Sequence, residues 1–162
     1  MNQVSANALA SDYMQRDIIT VSPDDTLREA LSLMTENHVT GLPVMDGRSR
    51  CIGLITSSDI LSYEDERADA STSTATAGFF DPETQQWEHV PLAAFGLEEF
   101  GDVLVGDVMT RDLIWVTQST TLKEVARRML RHRVHRVLVM DEDARLYGIL
   151  SSFDFVRVVS ES

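Results

Sequence analysis

The sequence holds a single cysteine, Cys51, so no disulfide can form within the chain. Together with an N-terminus, MNQVSANALASDYM, that lacks a basic segment followed by a long apolar one, this points to a reducing, cytoplasmic setting. Cys51 lies inside the apolar run CIGLI and reads as a small buried hydrophobe. No run approaches the roughly 18 apolar residues that a membrane span requires, so no membrane role is expected. Cations are scarce: 14 Lys and Arg stand against 26 Asp and Glu, a formal charge of −12. That balance excludes general nucleic-acid binding, whose affinity comes mainly from cationic contacts to phosphate. The four histidines, His38, His89, His132 and His135, are scattered, with no zinc-ligand spacing. Also missing are a glycine-rich phosphate loop and a nucleophile elbow, so the chain does not read as an enzyme, and neither a metal nor a resident cofactor is expected.

What the chain does have is an internal repeat. Shifted by 95 positions, residues 12–61 align with 107–156 without a gap, with 18 identities in 50 positions where chance gives about three. Asp12, Met14, Arg16 and Asp17 match Asp107, Met109, Arg111 and Asp112; Thr26, Leu27 and Glu29 match Thr121, Leu122 and Glu124; Gly53 and Asp59 match Gly148 and Asp154. Charge is not shared evenly. Residues 62–105 carry one Arg and ten acidic residues, whereas 106–157 carry nine Lys and Arg against seven acidic residues. The second copy is a locally basic surface suited to one small anion.

Each copy reads as β-α-β-β-α. A short β-rich run, Ile18–Val21 or Ile114–Val116, precedes a helix that opens with a Thr-x-x-Glu capping box, Thr26…Glu29 or Thr121…Glu124. The helix places Leu27, Ala30, Leu31 and Met34 in one copy, and Leu122, Val125, Ala126, Met129 and Leu130 in the other, on an apolar face. A hairpin follows: Leu42–Met45 and Cys51–Thr56 joined at Asp46-Gly47, and Val137–Met140 and Leu146–Leu150 joined at Asp141-Glu142-Asp143. A last helix starts near Ser57 and Ser152. The fold class is therefore α/β (α+β). A unit of about 50 residues buries too little surface alone. Two copies packed face to face about a pseudo-twofold axis solve this and create a cleft. The domain limits are 11–62, an acidic insertion at 63–104, and 105–159. In the insertion, Ala70–Ala77 reads as a low-complexity linker, Phe79–Val90 as a hairpin turning at Asp81–Thr84, and Leu92–Phe100 as a short helix. Its aromatics, Phe79, Phe80, Trp87, Phe95 and Phe100, read as cover for the module or a dimer mate.

Two segments carry candidate chemistry, Gly53…Thr56…Asp59 and Gly148…Ser151…Asp154, both of the form Gly-apolar-apolar-[Thr/Ser]-x-x-Asp. As local structure this is a helix cap. As chemistry it is a polyol site, because a carboxylate accepts from both hydroxyls of a ribose and the Thr or Ser hydroxyl adds a further bond. The glycine admits another backbone or a flat base. A third candidate is His135-Arg136, whose guanidinium suits phosphate, although Arg127, Arg128, Arg131 and Arg133 nearby also make it part of a basic face. The first copy has Thr40-Gly41 at the matching positions.

In these motifs, in Asp-Tyr-Met and Asp-Val-Met ahead of each copy, and in Val-Thr-Gly-Leu-Pro-Val-Met-Asp and Val-His-Arg-Val-Leu-Val-Met-Asp of the hairpins, the sequence resembles a tandem pair of CBS domains, a Bateman module, of the small stand-alone type. The resemblance covers about residues 11–62 and 105–159. It implies a non-catalytic regulatory module that binds AMP, ADP or ATP, or else NAD or S-adenosylmethionine, between the repeats, forms a homodimer, and controls a partner protein. It implies ribose on Asp59 and Asp154 with Thr56 and Ser151, phosphate on His135 and Arg136, and adenine framed by Ile19-Thr20-Val21 and Ile114-Trp115-Val116. The sequence departs from an even repeat at Leu138, opposite Pro43 of the first copy, and at Trp115, opposite Thr20. One occupied nucleotide site, or two of unequal affinity, is therefore expected. A ligand-free interaction module, its aspartates serving only as caps, is the alternative.

Overall fold

The computed structural model describes residues 7–67, 76–81, 86–91 and 102–161, with side chains at 7–63 and 102–161. The elements in chain order are α1 (Ala10–Tyr13), α2 (Leu27–Asn37), β1 (Gly41–Met45), β2 (Cys51–Thr56), α3 (Ser57–Arg67), β3 (Thr76–Asp81), β4 (Gln86–Pro91), α4 (Val105–Val108), β5 (Trp115–Val116), α5 (Leu122–His132), β6 (Arg136–Met140), β7 (Leu146–Ser151) and α6 (Ser152–Ser160). The mixture is α+β, as the repeat pattern implies.

Two compact units result, and their limits cut across the sequence repeat. One comprises residues Ile19–Arg111; the other joins the chain up to Ile18 with residues from Asp112 onward. The Asp-x-Met segment that leads into each copy therefore packs in the unit of the other copy. Gln15 exchanges backbone bonds with Ile149, and Ala10 N donates to the Thr120 carbonyl at 2.8 Å. In the same way Thr110 exchanges backbone bonds with Leu54, and Val105 N donates to Asp25 O at 2.8 Å. Each hairpin thus gains backbone partners along its outer edge, satisfying groups that would otherwise lie open.

In the Ile19–Arg111 unit, α2 begins with a full capping box. Thr26 Oγ1 accepts from Glu29 N at 3.2 Å, and the Glu29 carboxylate accepts from Thr26 N at 2.7 Å. Its face of Leu27, Ala30 and Met34 enters a core with Val21, Leu42, Val44, Ile55, Ile60, Val105 and Met109. Complete burial of Leu27 alone contributes about 2 kcal/mol. Strands β1 and β2 pair antiparallel, but they are joined by a five-residue loop, Asp46–Arg50, rather than a tight Asp46-Gly47 turn. The left-handed residue in that loop is Ser49, at φ 59°, not Gly47. The expected strand Ile18–Val21 shrinks to one parallel bridge, Val21 to Val44. Pro43 explains this: it has no N–H to offer the preceding strand, whereas Leu138 at the matching position donates to the Ile114 carbonyl at 3.1 Å. Strands β3 and β4 form an antiparallel hairpin from Thr76↔Pro91 to Asp81↔Gln86, so Thr76 and Ala77 belong to a strand rather than a linker. The turn after Asp81, the rest of the ASTSTATA segment and the proposed Leu92–Phe100 helix lie outside the described residues.

The other unit has the order β5-β6-β7, with β5 parallel and β7 antiparallel to β6. Thr121 accepts from Glu124 N at 3.3 Å, but the Glu124 carboxylate turns toward Arg127 and Arg128, so the second capping box is only half formed. Leu122, Val125 and Met129 of α5 are buried with Val137, Val139, Leu150 and Val158. Leu130, expected on that face, is 79% exposed: it follows Met129 by one step, about 100° around the helix.

The hairpin loops repeat one design. Asp46 Oδ1 accepts from the backbone N of Arg48 and Arg50, and Asp141 Oδ1 from Asp143 and Arg145, while Ser49 and Ala144 take the same left-handed geometry. The backbone N–H groups of Arg50 and of Arg145 are the main cause holding the Asp46 and Asp141 carboxyls below the usual carboxylate range. Because the folded-state pKa values are depressed, this stabilisation is present above about pH 4, the unfolded range, and is lost as pH falls through the lower folded values. Between pH 5 and pH 2.5 the melting temperature is expected to fall less steeply in Asp46→Asn/Asp141→Asn than in the parent chain. Parallel curves would show that these loops do not contribute to acid sensitivity.

Candidate functional site

In the Ile19–Arg111 unit, β2 ends at Thr56 and α3 starts at once, which brings Asp59 back over the strand end. Asp59 Oδ2 accepts from Thr56 N and from Thr56 Oγ1, both at 2.9 Å, while Asp59 N donates to Thr56 Oγ1 at 3.2 Å. The capping arrangement is thus complete. The outer oxygen, Oδ1, accepts from Thr110 Oγ1 at 3.0 Å. Thr110 is exposed and Asp59 is partly so.

The second constellation is built the same way at the junction of β7 and α6. Asp154 Oδ2 accepts from Ser151 N at 2.8 Å and from Ser151 Oγ at 3.1 Å. Its outer oxygen meets different partners: Gln15 Nε2 donates to Oδ1 at 2.8 Å, and Arg157 Nη2 lies 3.4 Å from it. Gln15 and Thr110 are equivalent positions of the repeat, and Ser62 occupies the place of Arg157. Asp154 is only 3% exposed, the one buried charged side chain among the described residues.

The two glycines are explained by what approaches them. A methyl group on Gly53 would overlap the sulfur of Met109 and crowd the Thr110 carbonyl; on Gly148 it would overlap the side chain of Met14. The room left by each glycine is therefore filled by a methionine of the exchanged Asp-x-Met segment. The repeat aligns the two Asp-x-Met motifs with each other but not with these glycines, because nothing local links residue 14 to residue 148.

The remaining candidates divide. Val21 and Val116 are 3% and 1% exposed core residues, so neither presents a side chain to a base. Ile19 and Ile114 pack at the edges of the two cores. Thr20 is exposed; Trp115 is half-buried, and its carbonyl accepts from Arg128 Nη1 at 2.8 Å. His135 and Arg136 part company. Arg136 is half-buried on β6, opposite Ser151 in the strand register. His135, just ahead of the strand, lines an open, mainly apolar groove of about 450 Å³ whose other walls include Met129, Leu130 and Phe155 and the polar Arg133 and Ser152. Cys51 is buried, and desolvation pushes its thiol up, as befits a structural residue. Among the described residues no helix is long and apolar enough to cross a membrane, and no cluster of three or more His, Cys, Asp or Glu could hold a metal ion.

Comparison with known proteins adds the lineage. The CBS domain model matches residues 10–66 and 105–161, more than half of the chain. The chloroplastic CBS domain-containing protein CBSX1 of Arabidopsis thaliana is 32% identical over 144 residues, covering 88% of this chain and 59% of that protein. An inosine-5'-monophosphate dehydrogenase of Methanocaldococcus jannaschii is 29% identical over 157 residues, 97% of this chain but 25% of the enzyme. The chain thus spans between a quarter and three fifths of the length of these relatives. Among solved structures, CBSX2 in complex with AMP superposes with a TM-score of 0.69 at 26% identity, covering 95% of this chain and 97% of that one. The two matched segments, the doubled strand-cap-carboxylate unit and the structural likeness agree: the chain belongs to the CBS-domain family as a tandem pair.

Proposed function

We propose that the chain is a non-catalytic, cytoplasmic regulatory module that binds an adenosine nucleotide (AMP, ADP or ATP) and passes the binding event to a protein partner in trans. The observation that carries this reading is the strand-end carboxylate. In each unit Oδ2 is fixed by the Thr56 or Ser151 cap, so Oδ1 is held in a set direction without the cost of ordering a free side chain. Such an oxygen suits the vicinal hydroxyls of a ribose. The AMP carried by CBSX2, which this chain matches over nearly its whole length, supports the choice of ligand. Phosphate is assigned to His135 and Arg136, the adjacent basic residues at the start of the second hairpin. A ligand shifts the module only by its unequal affinity for two arrangements, so the partner must read a difference that the nucleotide makes.

Calorimetry with AMP, ADP, ATP, NAD and S-adenosylmethionine tests the reading. Binding of an adenosine nucleotide is expected, with affinity for AMP lowered about tenfold in Arg136→Ala, the loss expected of one charge-assisted bond, while affinity for adenosine is unchanged. No binding of any of these at millimolar concentration would leave a ligand-free interaction module. Unchanged affinity in both Asp59→Ala and Asp154→Ala would remove the ribose assignment.

The chain is also proposed to pair with a second copy. Ser152, Phe155, Val156 and Val159 share one side of α6 by their spacing, and beside them Leu130 is 79%, Val156 62% and Val159 67% exposed. In light scattering the parent chain is expected as a dimer and Leu130→Glu/Val156→Glu as a monomer. A parent monomer, or a dimer in both, would place the contact elsewhere or remove it.

A further inference from the structure

The two carboxylates are not equally open to a ligand, and the difference lies in what meets the outer oxygen of each. Asp154 accepts three hydrogen bonds among the described residues, from Ser151 N and Ser151 Oγ on Oδ2 and from Gln15 Nε2 on Oδ1, and the Arg157 guanidinium forms an ion pair with that Oδ1 at 3.4 Å. Asp59 also accepts three, from Thr56 N and Thr56 Oγ1 on Oδ2 and from Thr110 Oγ1 on Oδ1. The partners also differ in kind. A threonine hydroxyl donates one bond and keeps two lone pairs, so it can accept from an incoming hydroxyl while still bonding to Asp59. A Gln amide nitrogen and a guanidinium offer no acceptor to such a hydroxyl. Exposure follows the same order, with Asp154 buried and Asp59 partly open.

We infer that Asp59, with Thr110, is the carboxylate that accepts the nucleotide's ribose, and that Gln15 and Arg157 hold Asp154 closed, so that the chain takes one nucleotide rather than two. This inference rests on the adenosine-binding reading above. The sequence repeat makes two sites; two side-chain differences, Gln15 for Thr110 and Arg157 for Ser62, close one of them. All four of these residues lie at or near the surface, so exchanging them leaves both cores intact.

The experiment counts bound AMP per chain by equilibrium dialysis and native mass spectrometry, with melting curves to confirm that each variant is folded. The parent chain is expected to bind one AMP. Thr110→Gln/Ser62→Arg, which gives Asp59 the partners of Asp154, is expected to weaken AMP at least tenfold. Gln15→Thr/Arg157→Ser, the reverse exchange, is expected to bring the count to two. Asp154→Asn is expected to keep the single site. A parent chain that binds two AMP, a loss of the bound AMP in Asp154→Asn, unweakened AMP in Thr110→Gln/Ser62→Arg, or a count that stays at one in Gln15→Thr/Arg157→Ser would overturn the inference while leaving the adenosine-binding reading in place. A parent chain that binds no AMP, ADP or ATP would overturn that reading itself.

Discussion

Gly53→Val is expected to destabilise the chain by about 3 kcal/mol, lowering the melting temperature by roughly 6–12 °C. The reason is the seat of Met109. Its sulfur and Cγ occupy the space where a side chain at residue 53 would begin, and the Thr110 carbonyl closes the same space from the backbone side. Met109 is itself 8% exposed and part of the unit's core, and Thr110 exchanges two backbone bonds with Leu54, so neither can retreat without loss. Gly53→Ala, a milder change, tests the cause through a double-mutant cycle with Met109→Ala. Truncating the methionine removes the overlapping sulfur and Cγ, so the two changes together are expected to cost at least about 1 kcal/mol less than their sum. Additivity would mean that Gly53 is required for some reason other than Met109.

Asp154→Ala is expected to cost about 3 kcal/mol in urea unfolding, and Asp59→Ala at least about 1 kcal/mol less. Both changes remove a capping carboxylate, which costs about 1 kcal/mol in its own right. Each change strands a partly buried backbone N–H, of Ser151 or of Thr56, but removing Asp154 also empties a buried position and takes the ion-pair partner from Arg157. Removing Asp59 leaves Thr110, an exposed hydroxyl that water can satisfy. Equal costs, or a larger cost at Asp59, would contradict the division of labour between a closed carboxylate and an open one.

Much of this architecture is readable in the sequence because its signals are local. The Thr26–Glu29 box, the hairpins with Asp46 and Asp141 at their loops, and the strand-to-helix junctions at Thr56 and Ser151 each span only a few residues, and the repeat states every one of them twice. What the sequence does not disclose is long-range. The exchange of the Asp-x-Met segments joins residues 139 positions apart, as in the bond from Gln15 to Asp154, and no periodicity encodes it. Burial misleads in the same way. Leu130 reads as a core residue and stands in the open. His135 and Arg136 are adjacent in sequence, but Arg136 enters the β6 register whereas His135 precedes the strand and meets the groove. The unequal aspartates, finally, are visible in the alignment of the two copies, as Gln15 against Thr110. That difference acquires meaning only once both residues are seen to contact the carboxylates.

The most direct measurement is a crystal structure of the chain grown with millimolar AMP. The account predicts one nucleotide per chain, with its 2′- and 3′-hydroxyls within hydrogen-bond distance of Asp59 Oδ1 and Thr110 Oγ1, and with Gln15 still bound to Asp154. A nucleotide whose ribose rests on Asp154 with Gln15 displaced, or one that touches neither aspartate, would contradict it.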